Sequence, residues 1–313
     1  MKTLSRFLTC LVLSLSVGAG NVYADEVSDA LKGLFKGFRK KESAPAPQPV
    51  APVAPSSPAA PTPPSGQESP TDLLLKSLMS GKTSPEEEAR IGQQIAGNLV
   101  GVAPLVRDDA LQRYVNQVGR WVALQSERAD LDWRFGVIES EDLNAFAAPG
   151  GYIFLTKGLY RRLNSESELA GVLGHEIGHV VKKHQLKLLQ KSQGIAALGG
   201  FLSQKVKNSN ELVQNLIGNG AEMMARGLDK DAEFEADRLG LVYAARSGYE
   251  AYGLPTVLAE IGHSAKGDAR VSLLYKTHPH PEERLGQLSE AVGNRMDGVT
   301  DGQTGDSRFY RLR

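Results

Sequence analysis

The chain has 313 residues, of which 41% are hydrophobic and 23% charged, so it can form one sizeable core with appended segments. Its 36 basic and 36 acidic residues leave a formal net charge of zero, which gives no electrostatic reason to expect a nucleic-acid partner. The single cysteine, Cys10, excludes an internal disulfide and matches no thiol-metal spacing.

The first 24 residues have the features of a secretory signal peptide. Lys2 and Arg6 precede an apolar run over residues 8–17, and small residues follow up to Ala24. The run is shorter than the about 20 residues that a membrane-spanning helix needs, so an uncleaved anchor is the weaker interpretation. We therefore predict export to the periplasm and exclude residues 1–24 from the fold.

Two further segments precede the predicted domain. Residues 25–41 form a basic amphipathic segment, in which apolar side chains recur at helical spacing between lysines and arginines from residue 26 onward. Such a helix can lie peripherally on a membrane, contact outer-membrane assembly proteins, or pack back on its own domain. Residues 42–70 hold ten of the 16 prolines, which predicts a semi-rigid linker.

The domain itself is predicted over residues 71–295 and begins with helices. Ser84 and Pro85 supply a cap and a first-position proline for one helix. A second helix is predicted over residues 109–124. Its expected buried stripe consists of Leu111, Tyr114, Val115, Val118, Trp121 and Val122. After the domain, residues 296–313 are polar and contain glycine, and we predict a flexible tail there.

The hydrophobic period then changes to that of β-strands. Strands are predicted over residues 133–138, 144–148 and 152–156, and residues 149–151 form the turn of a hairpin. A small antiparallel sheet is therefore expected before the next helix. Its edge can bind an extended peptide as an added strand, or the hairpin can be purely structural.

The strongest chemical pattern is HExxH, which begins at His175 and ends at His179 within a predicted helix. Positions i and i+4 share one helix face, so both imidazoles can bind one ion. Glu176 lies one residue away from that face, where it can accept a proton from a water molecule activated by the ion. Alternatively, both histidines are ordinary polar residues of an amphipathic helix.

The same helix is expected to be long and continuous. Ser165 and Glu168 are three residues apart and predict a capping box, and the helical pattern runs on to about Gln190. On a continuous helix His184 lies about 180° from His175. We therefore assign His184 to the structure or the surface rather than to the ion.

Two later segments can complete a metal site. Glu233 and Asp237 share one face of a helix capped by Asp229, so one carboxylate can bind the ion while the other fixes the tautomer of a ligand imidazole. The alternative is a solvated acidic helix start stabilised by the helix dipole. His278 lies in an HPHP turn before the terminal helix, where it can reach the ion or serve simply as a turn residue.

Five motifs occur in the order typical of one protein family. They are SPEEE at 84–88, NAFAAPGG at 144–151, ELAGVLGHEIGH at 168–179, EFEADR at 233–238 and THP at 277–279. With them the chain resembles, over residues 84–290, the gluzincin zinc metallopeptidases that include the CAAX prenyl endopeptidases, HtpX and soluble periplasmic members such as BepA. We expect a BepA-like member without membrane helices or a tetratricopeptide domain.

The resemblance implies an α+β fold, a mainly helical zincin-like domain with a small antiparallel sheet beside the HExxH helix. It also implies one Zn²⁺ per chain, bound by His175, His179 and Glu233. In this arrangement Glu176 is the catalytic base, and Asp237 supports a ligand histidine.

The resemblance further implies a peptide-binding edge and a fourth residue near the ion. The edge consists of Asn144, Ala145, Phe146 and Ala147. His278 corresponds to a family histidine that approaches the zinc, where it either occupies the open position or steadies the reaction oxyanion.

These features predict a periplasmic zinc endopeptidase that cleaves unfolded or misassembled envelope proteins. The alternative is a chaperone or assembly factor whose protease activity is gated and rarely used. A structural metal protein is a third interpretation, but it requires four protein ligands and no water.

Overall fold

The computed structural model describes residues 83–191, 228–264, 268–293, 295 and 301–312. All of them belong to the structural unit Pro49–Arg313. The predicted signal peptide, amphipathic segment and proline-rich linker lie outside the described residues. Within these residues no helix combines the length and the apolar character needed to cross a bilayer.

The first helix begins as its sequence predicts. Helix α1 is Pro85–Val102 and follows the N-cap Ser84. The Ser84 hydroxyl accepts a hydrogen bond from the Glu87 amide, and the Glu87 carboxylate accepts one from the Ser84 amide. These two bonds form a complete capping box, which fixes the start of the helix.

The second helix confirms its predicted bounds but not its whole buried stripe. Helix α2 is Asp109–Ala123, capped by Asp108. Trp121 was expected in the core, yet it is 52% exposed, and its indole nitrogen donates to the Ser247 carbonyl at 2.8 Å. The prediction for Trp121 is wrong because its ring stays largely open to solvent and only its indole N–H reaches an acceptor on the domain, the Ser247 carbonyl.

Three strands follow as predicted, but their pairing differs from the expected antiparallel sheet. Strands β1 (Arg134–Ile138), β2 (Ala145–Ala148) and β3 (Tyr152–Thr156) form a sheet in the order β1-β3-β2. Strand β2 pairs antiparallel with β3, whereas β1 pairs parallel with β3. The tight turn at residues 149–151 fixes only the antiparallel pairing of β2 with β3. The connection over residues 139–144 is long enough to carry the chain from β1 past the position of β3 to β2. Strand β2 therefore lies at an edge of this mixed sheet.

After the short helix α3 (Lys157–Tyr160), the HExxH motif lies in helix α4 (Glu166–Val181), which is buried along nearly its whole length. The Ser165 hydroxyl caps α4 by accepting from the Glu168 amide. The second half of the predicted capping box is absent, because the Glu168 carboxylate accepts instead from the Asn164 amide at 2.7 Å. The main hydrophobic core surrounds α4 and includes Leu169, Leu173 and Ile177.

Helix α4 is shorter than predicted. Lys183 has a φ of 57°, a left-handed conformation that interrupts the right-handed helix after Val181. A tertiary contact accompanies the break, since the Lys183 ammonium lies 3.0 Å from the buried Glu88 carboxylate. A separate helical segment, α5 over residues 184–191, begins at His184.

Four further helices complete the described part of the domain. They are α6 (Lys230–Arg246), α7 (Gly253–Gly262), α8 (Ala269–Thr277) and α9 (Pro281–Val292). Helix α6 crosses α4 at two glycines: a Cβ on Gly174 would lie 2.8 Å from the Gly240 oxygen, and a Cβ on Gly240 would lie 2.7 Å from the His175 nitrogen. The two backbones thus approach directly, which brings the acidic residues of α6 to the histidines of α4.

The C-terminal segment differs from the predicted flexible tail. Residues 301–312 pack on the domain, and Phe309 belongs to the main core. Arg308 binds the Glu166 carboxylate at 2.7 Å, and the Tyr310 hydroxyl donates to Asp108 at 2.9 Å. Aromatic side chains that complete the core outweigh the polar, glycine-bearing composition on which the prediction depended.

Candidate metal centre

Four side chains from separate parts of the chain meet at one point. They are His175 and His179 from α4, Glu233 from α6, and His278 at the C-terminal cap of α8. One ligand atom of each residue lies within 4.8 Å of the others. The structure therefore brings together the three predicted zinc ligands and the additional histidine.

The spacing of these atoms fits a small divalent ion. The two Nε2 atoms of His175 and His179 are 3.0 Å apart, and the Glu233 oxygens lie 3.7 and 3.5 Å from them, respectively. A tetrahedral ion with bonds of about 2.0–2.2 Å separates its ligand atoms by about 3.3–3.6 Å. Both Glu233 oxygens are also fully buried without a hydrogen-bond partner among the described residues. A bound cation would satisfy them.

The protonation of this cluster is set mainly by burial. Burial raises the pKa of Glu233 well above its ordinary range. Burial also lowers the pKa of His175, His179 and His278, so their imidazoles are neutral at neutral pH. Neutral imidazoles are the form that binds metal, and a bound cation would favour the ionised form of the Glu233 carboxyl group, which burial disfavours.

Glu176 lines the same cleft as His179, Glu233 and His278. Burial raises its pKa to about 8, against the opposing effect of the Arg284 charge. A carboxyl group with a pKa near the working pH can both accept and release a proton. This property suits Glu176 to act as a general base.

Asp237 supports His175 and is itself held by an arginine. The Asp237 Oδ1 atom lies 2.9 Å from the His175 Nδ1, whose proton it can accept, so the Nε2 atom is left to bind the ion. Arg284 of α9 donates from Nε to Oδ2 at 2.9 Å and from Nη2 to Oδ1 at 2.5 Å. Burial alone would raise the pKa of Asp237, but the Arg284 charge and hydrogen bonds, together with His175, hold it well below its usual range.

Sequence reasoning missed Arg284, although a signal was present. On α9, the buried residues are Pro281, Arg284 and Leu288. An arginine at a core position of an amphipathic helix requires a buried anion, and Asp237 is that partner. The predicted terminal helix therefore contained the missing member of the site.

His184 was assigned to the structure or the surface rather than to the ion, and it does lie outside the metal cluster, but its predicted position on the far side of the helix from His175 is wrong. Its side chain is buried, and its Nδ1 atom lies 2.9 Å from the Nδ1 atom of His179. On the other side, its Nε2 atom lies 3.1 Å from Glu235. The helical wheel failed because Lys183 breaks the helix and turns His184 back towards α4.

Three of the four residues of the predicted peptide-binding edge line the cleft that holds the metal cluster. Ala145, Phe146 and Ala147 of β2 line the cleft, together with further residues that include Gln185, Leu188 and Leu228. Asn144 does not line it. Its side chain is fully buried, and neither amide atom has a hydrogen-bond partner in the described part of the chain.

Comparison with known proteins gives consistent matches. The family model described as peptidase family M48 matches residues 109–292. The beta-barrel assembly-enhancing protease of Escherichia coli K12 is 31% identical over 208 residues, which cover 64% of this chain and 42% of that protein. The mitochondrial metalloendopeptidase OMA1 of Arabidopsis thaliana is 30% identical over 185 residues, covering 59% and 36%. The metalloprotease YcaL of E. coli K12 is 27% identical over 161 residues, covering 51% and 62%.

The chain thus spans less than half the length of the beta-barrel assembly-enhancing protease that it matches. The matched region contains all four residues of the metal cluster, the candidate base Glu176 and the Asp237-Arg284 pair.

Proposed function

Because this chain belongs to peptidase family M48 and is therefore a metallopeptidase, we propose that it is a periplasmic zinc endopeptidase that cleaves unfolded or misassembled envelope proteins. The observation that carries the proposal is the Glu233 carboxylate. Both of its oxygens are buried without a hydrogen-bond partner among the residues that the structure describes, and they face the Nε2 atoms of His175 and His179.

In the proposed mechanism, His175, His179 and Glu233 hold one zinc ion. When bound, zinc polarises the scissile carbonyl and makes water nucleophilic at neutral pH. Glu176 accepts the proton of the attacking water and passes it to the leaving nitrogen. Asp237 keeps the proton of His175 on Nδ1, and the edge strand β2, which lines the cleft, aligns the substrate backbone by strand addition.

The relatives support the proposed substrates. One matched relative is named as a beta-barrel assembly-enhancing protease and another as a metalloendopeptidase. From the first name we propose that this chain acts on envelope proteins. The signal-like residues 1–24 support a periplasmic location. The basic residues 26–41 support a peripheral contact with the membrane or with outer-membrane assembly proteins.

Metal removal tests the zinc-dependent activity directly. We expect the full chain to cleave an unfolded protein such as casein, to lose this activity in a chelator and to regain it when Zn²⁺ is restored. The rate of casein cleavage is the measurement. Activity that persists in metal-free protein, with metal content checked by elemental analysis, would contradict the proposal.

A gated protease is the second candidate, and the position of His278 favours it. Its Nε2 atom lies 3.7 Å from the Glu233 carboxylate. The Thr277 hydroxyl lies 3.1 Å from the Leu273 and Leu274 carbonyls, to which it can donate, and 2.8 Å from the His278 Nδ1 atom. A hydroxyl that donates to a carbonyl accepts from this Nδ1, which leaves Nε2 free to bind the ion. A zinc ion with four protein ligands has no open position for water.

We therefore expect His278→Ala to cleave casein faster than the parent, because the fourth position becomes open to water. The measurement is the initial rate at equal zinc content. His280→Ala is the matched control, since His280 lies in the same HPHP turn but outside the metal cluster. A large loss of activity in His278→Ala, without loss of zinc, would instead indicate that His278 stabilises the oxyanion.

A further inference from the structure

Behind the ligand histidine His179 lies a chain of two more polar side chains. The Nδ1 atom of His179 is 2.9 Å from the Nδ1 atom of His184, and the Nε2 atom of His184 is 3.1 Å from the Glu235 Oε2 atom. The three residues come from α4, α5 and α6 and form a continuous path that begins at the metal cluster. The path ends at Glu235, whose side chain is 39% exposed.

The path has only one consistent arrangement of protons when both histidines are neutral. A carboxylate only accepts hydrogen bonds, so the proton between Glu235 and His184 belongs to the His184 Nε2 atom. The Nδ1 atom of neutral His184 then has a lone pair. Its contact with His179 therefore requires a proton on the His179 Nδ1, and the His179 Nε2 keeps the lone pair that faces Glu233.

The geometry explains why this support needs two residues. Glu235 follows Glu233 by two positions, which turns it by about 200° around α6 and away from the ion. The Glu235 carboxylate therefore cannot contact His179 directly, in the way that Asp237 contacts His175. The left-handed Lys183 turns His184 into the gap between Glu235 and His179.

We propose that His184 and Glu235 are positioning residues that fix the tautomer and ring orientation of His179, so that its Nε2 atom faces the metal. The two ligand histidines of α4 are thus each oriented by a carboxylate of α6, His175 directly by Asp237 and His179 through an imidazole. This inference rests on the proposed role of His179 as a metal ligand.

Zinc affinity of the full chain gives the first test, by competition with a chromophoric chelator. Removal of a residue that orients a metal ligand costs about tenfold to a hundredfold in metal affinity, which is the loss expected for Glu235→Ala and His184→Leu. His184→Asn should largely restore the affinity, because its amide oxygen can accept from the His179 Nδ1. Lys182→Met is the control, since Lys182 approaches only the other Glu235 oxygen, at 3.7 Å.

The tautomer of His179 gives a second test that needs neither metal nor proteolysis. In metal-free parent protein, nitrogen-15 NMR of the labelled imidazoles should show a protonated Nδ1 and an unprotonated Nε2 for His179. Glu235→Ala should show a mixture of the two tautomers. The half-exposed Glu235 can be replaced without opening the core, so this variant is the safeguard if His184→Leu does not fold.

The two tests separate failure of this inference from failure of the proposed function. An Nε2-protonated His179 in the parent, or unchanged zinc affinity in both Glu235→Ala and His184→Leu, would overturn the positioning role. A parent that binds no zinc would overturn the proposed function, whereas the tautomer in metal-free protein still decides the arrangement of protons.

Discussion

Replacing Glu176 with glutamine should nearly abolish casein cleavage while zinc stays bound. Glutamine has almost the same shape but cannot accept a proton as a base, and general acid-base catalysis contributes about 10²–10⁴-fold to rates. Glu176 is outside the four-residue metal cluster, so the ligands are untouched. The measurements are the cleavage rate and the zinc content per chain.

A matched substitution shows whether any loss is specific. Glu290→Gln changes an exposed glutamate of α9 in the same chemical way and should keep full activity. In cells, envelope proteins that accumulate with Glu176→Gln but not with the parent are the candidate substrates. If Glu176→Gln cleaves casein at the parental rate, Glu176 is not the base.

Replacing Arg284 with methionine should cause a large loss of stability. The substitution leaves the Asp237 carboxylate buried without its cation, and breaking a buried ion pair in this way costs about 3–5 kcal/mol of the free energy of unfolding. Urea denaturation of the metal-free protein measures this cost. The ion pair of Arg284 with Asp237 stabilises the folded protein fully at pH values above the ordinary aspartate pKa. This stabilisation is lost as the pH falls through the lowered pKa that Asp237 has in the folded protein.

A second ion pair joins the same helices, α6 and α9, and shows what the loss of a more exposed pair costs. The Lys230 ammonium lies 2.7 Å from Glu283, and the two side chains are 64% and 42% exposed, so Lys230→Met should cost at most about 1 kcal/mol. Adding Asp237→Asn to Arg284→Met should recover part of the stability, because the uncompensated charge is removed. Equal small losses for Lys230→Met and Arg284→Met would contradict the structural role of Arg284.

The sequence predicted those parts of the site that depend on local periodicity. His175 and His179, and likewise Glu233 and Asp237, are pairs at i and i+4, and such pairs share a face in any α-helix. The caps at Ser84 and Asp229 were predictable for the same reason, since a cap and its amide lie within one turn.

The parts that the sequence did not predict depend on contacts between distant residues. The break before His184 accompanies the contact of Lys183 with Glu88, which lies 95 positions earlier in the chain. Strand β1 is parallel to its neighbour because it pairs with β3 rather than with β2, and its hydrophobic pattern is compatible with either neighbour. Arg284 and Phe309 were missed because their buried partners, Asp237 and the main core, are distant in sequence.

The close crossing of α4 and α6 at Gly174 and Gly240 has a consequence for protein design. A designer who copied only the four metal-binding side chains onto another pair of helices would separate them, because larger residues at the crossing hold helix axes about 8–10 Å apart or more. The transferable unit is the crossing itself together with the side chains that orient the ligands. The two glycines bind no ion, but a design needs them as much as it needs the histidines, because they set the distance between the helices that carry the ligands.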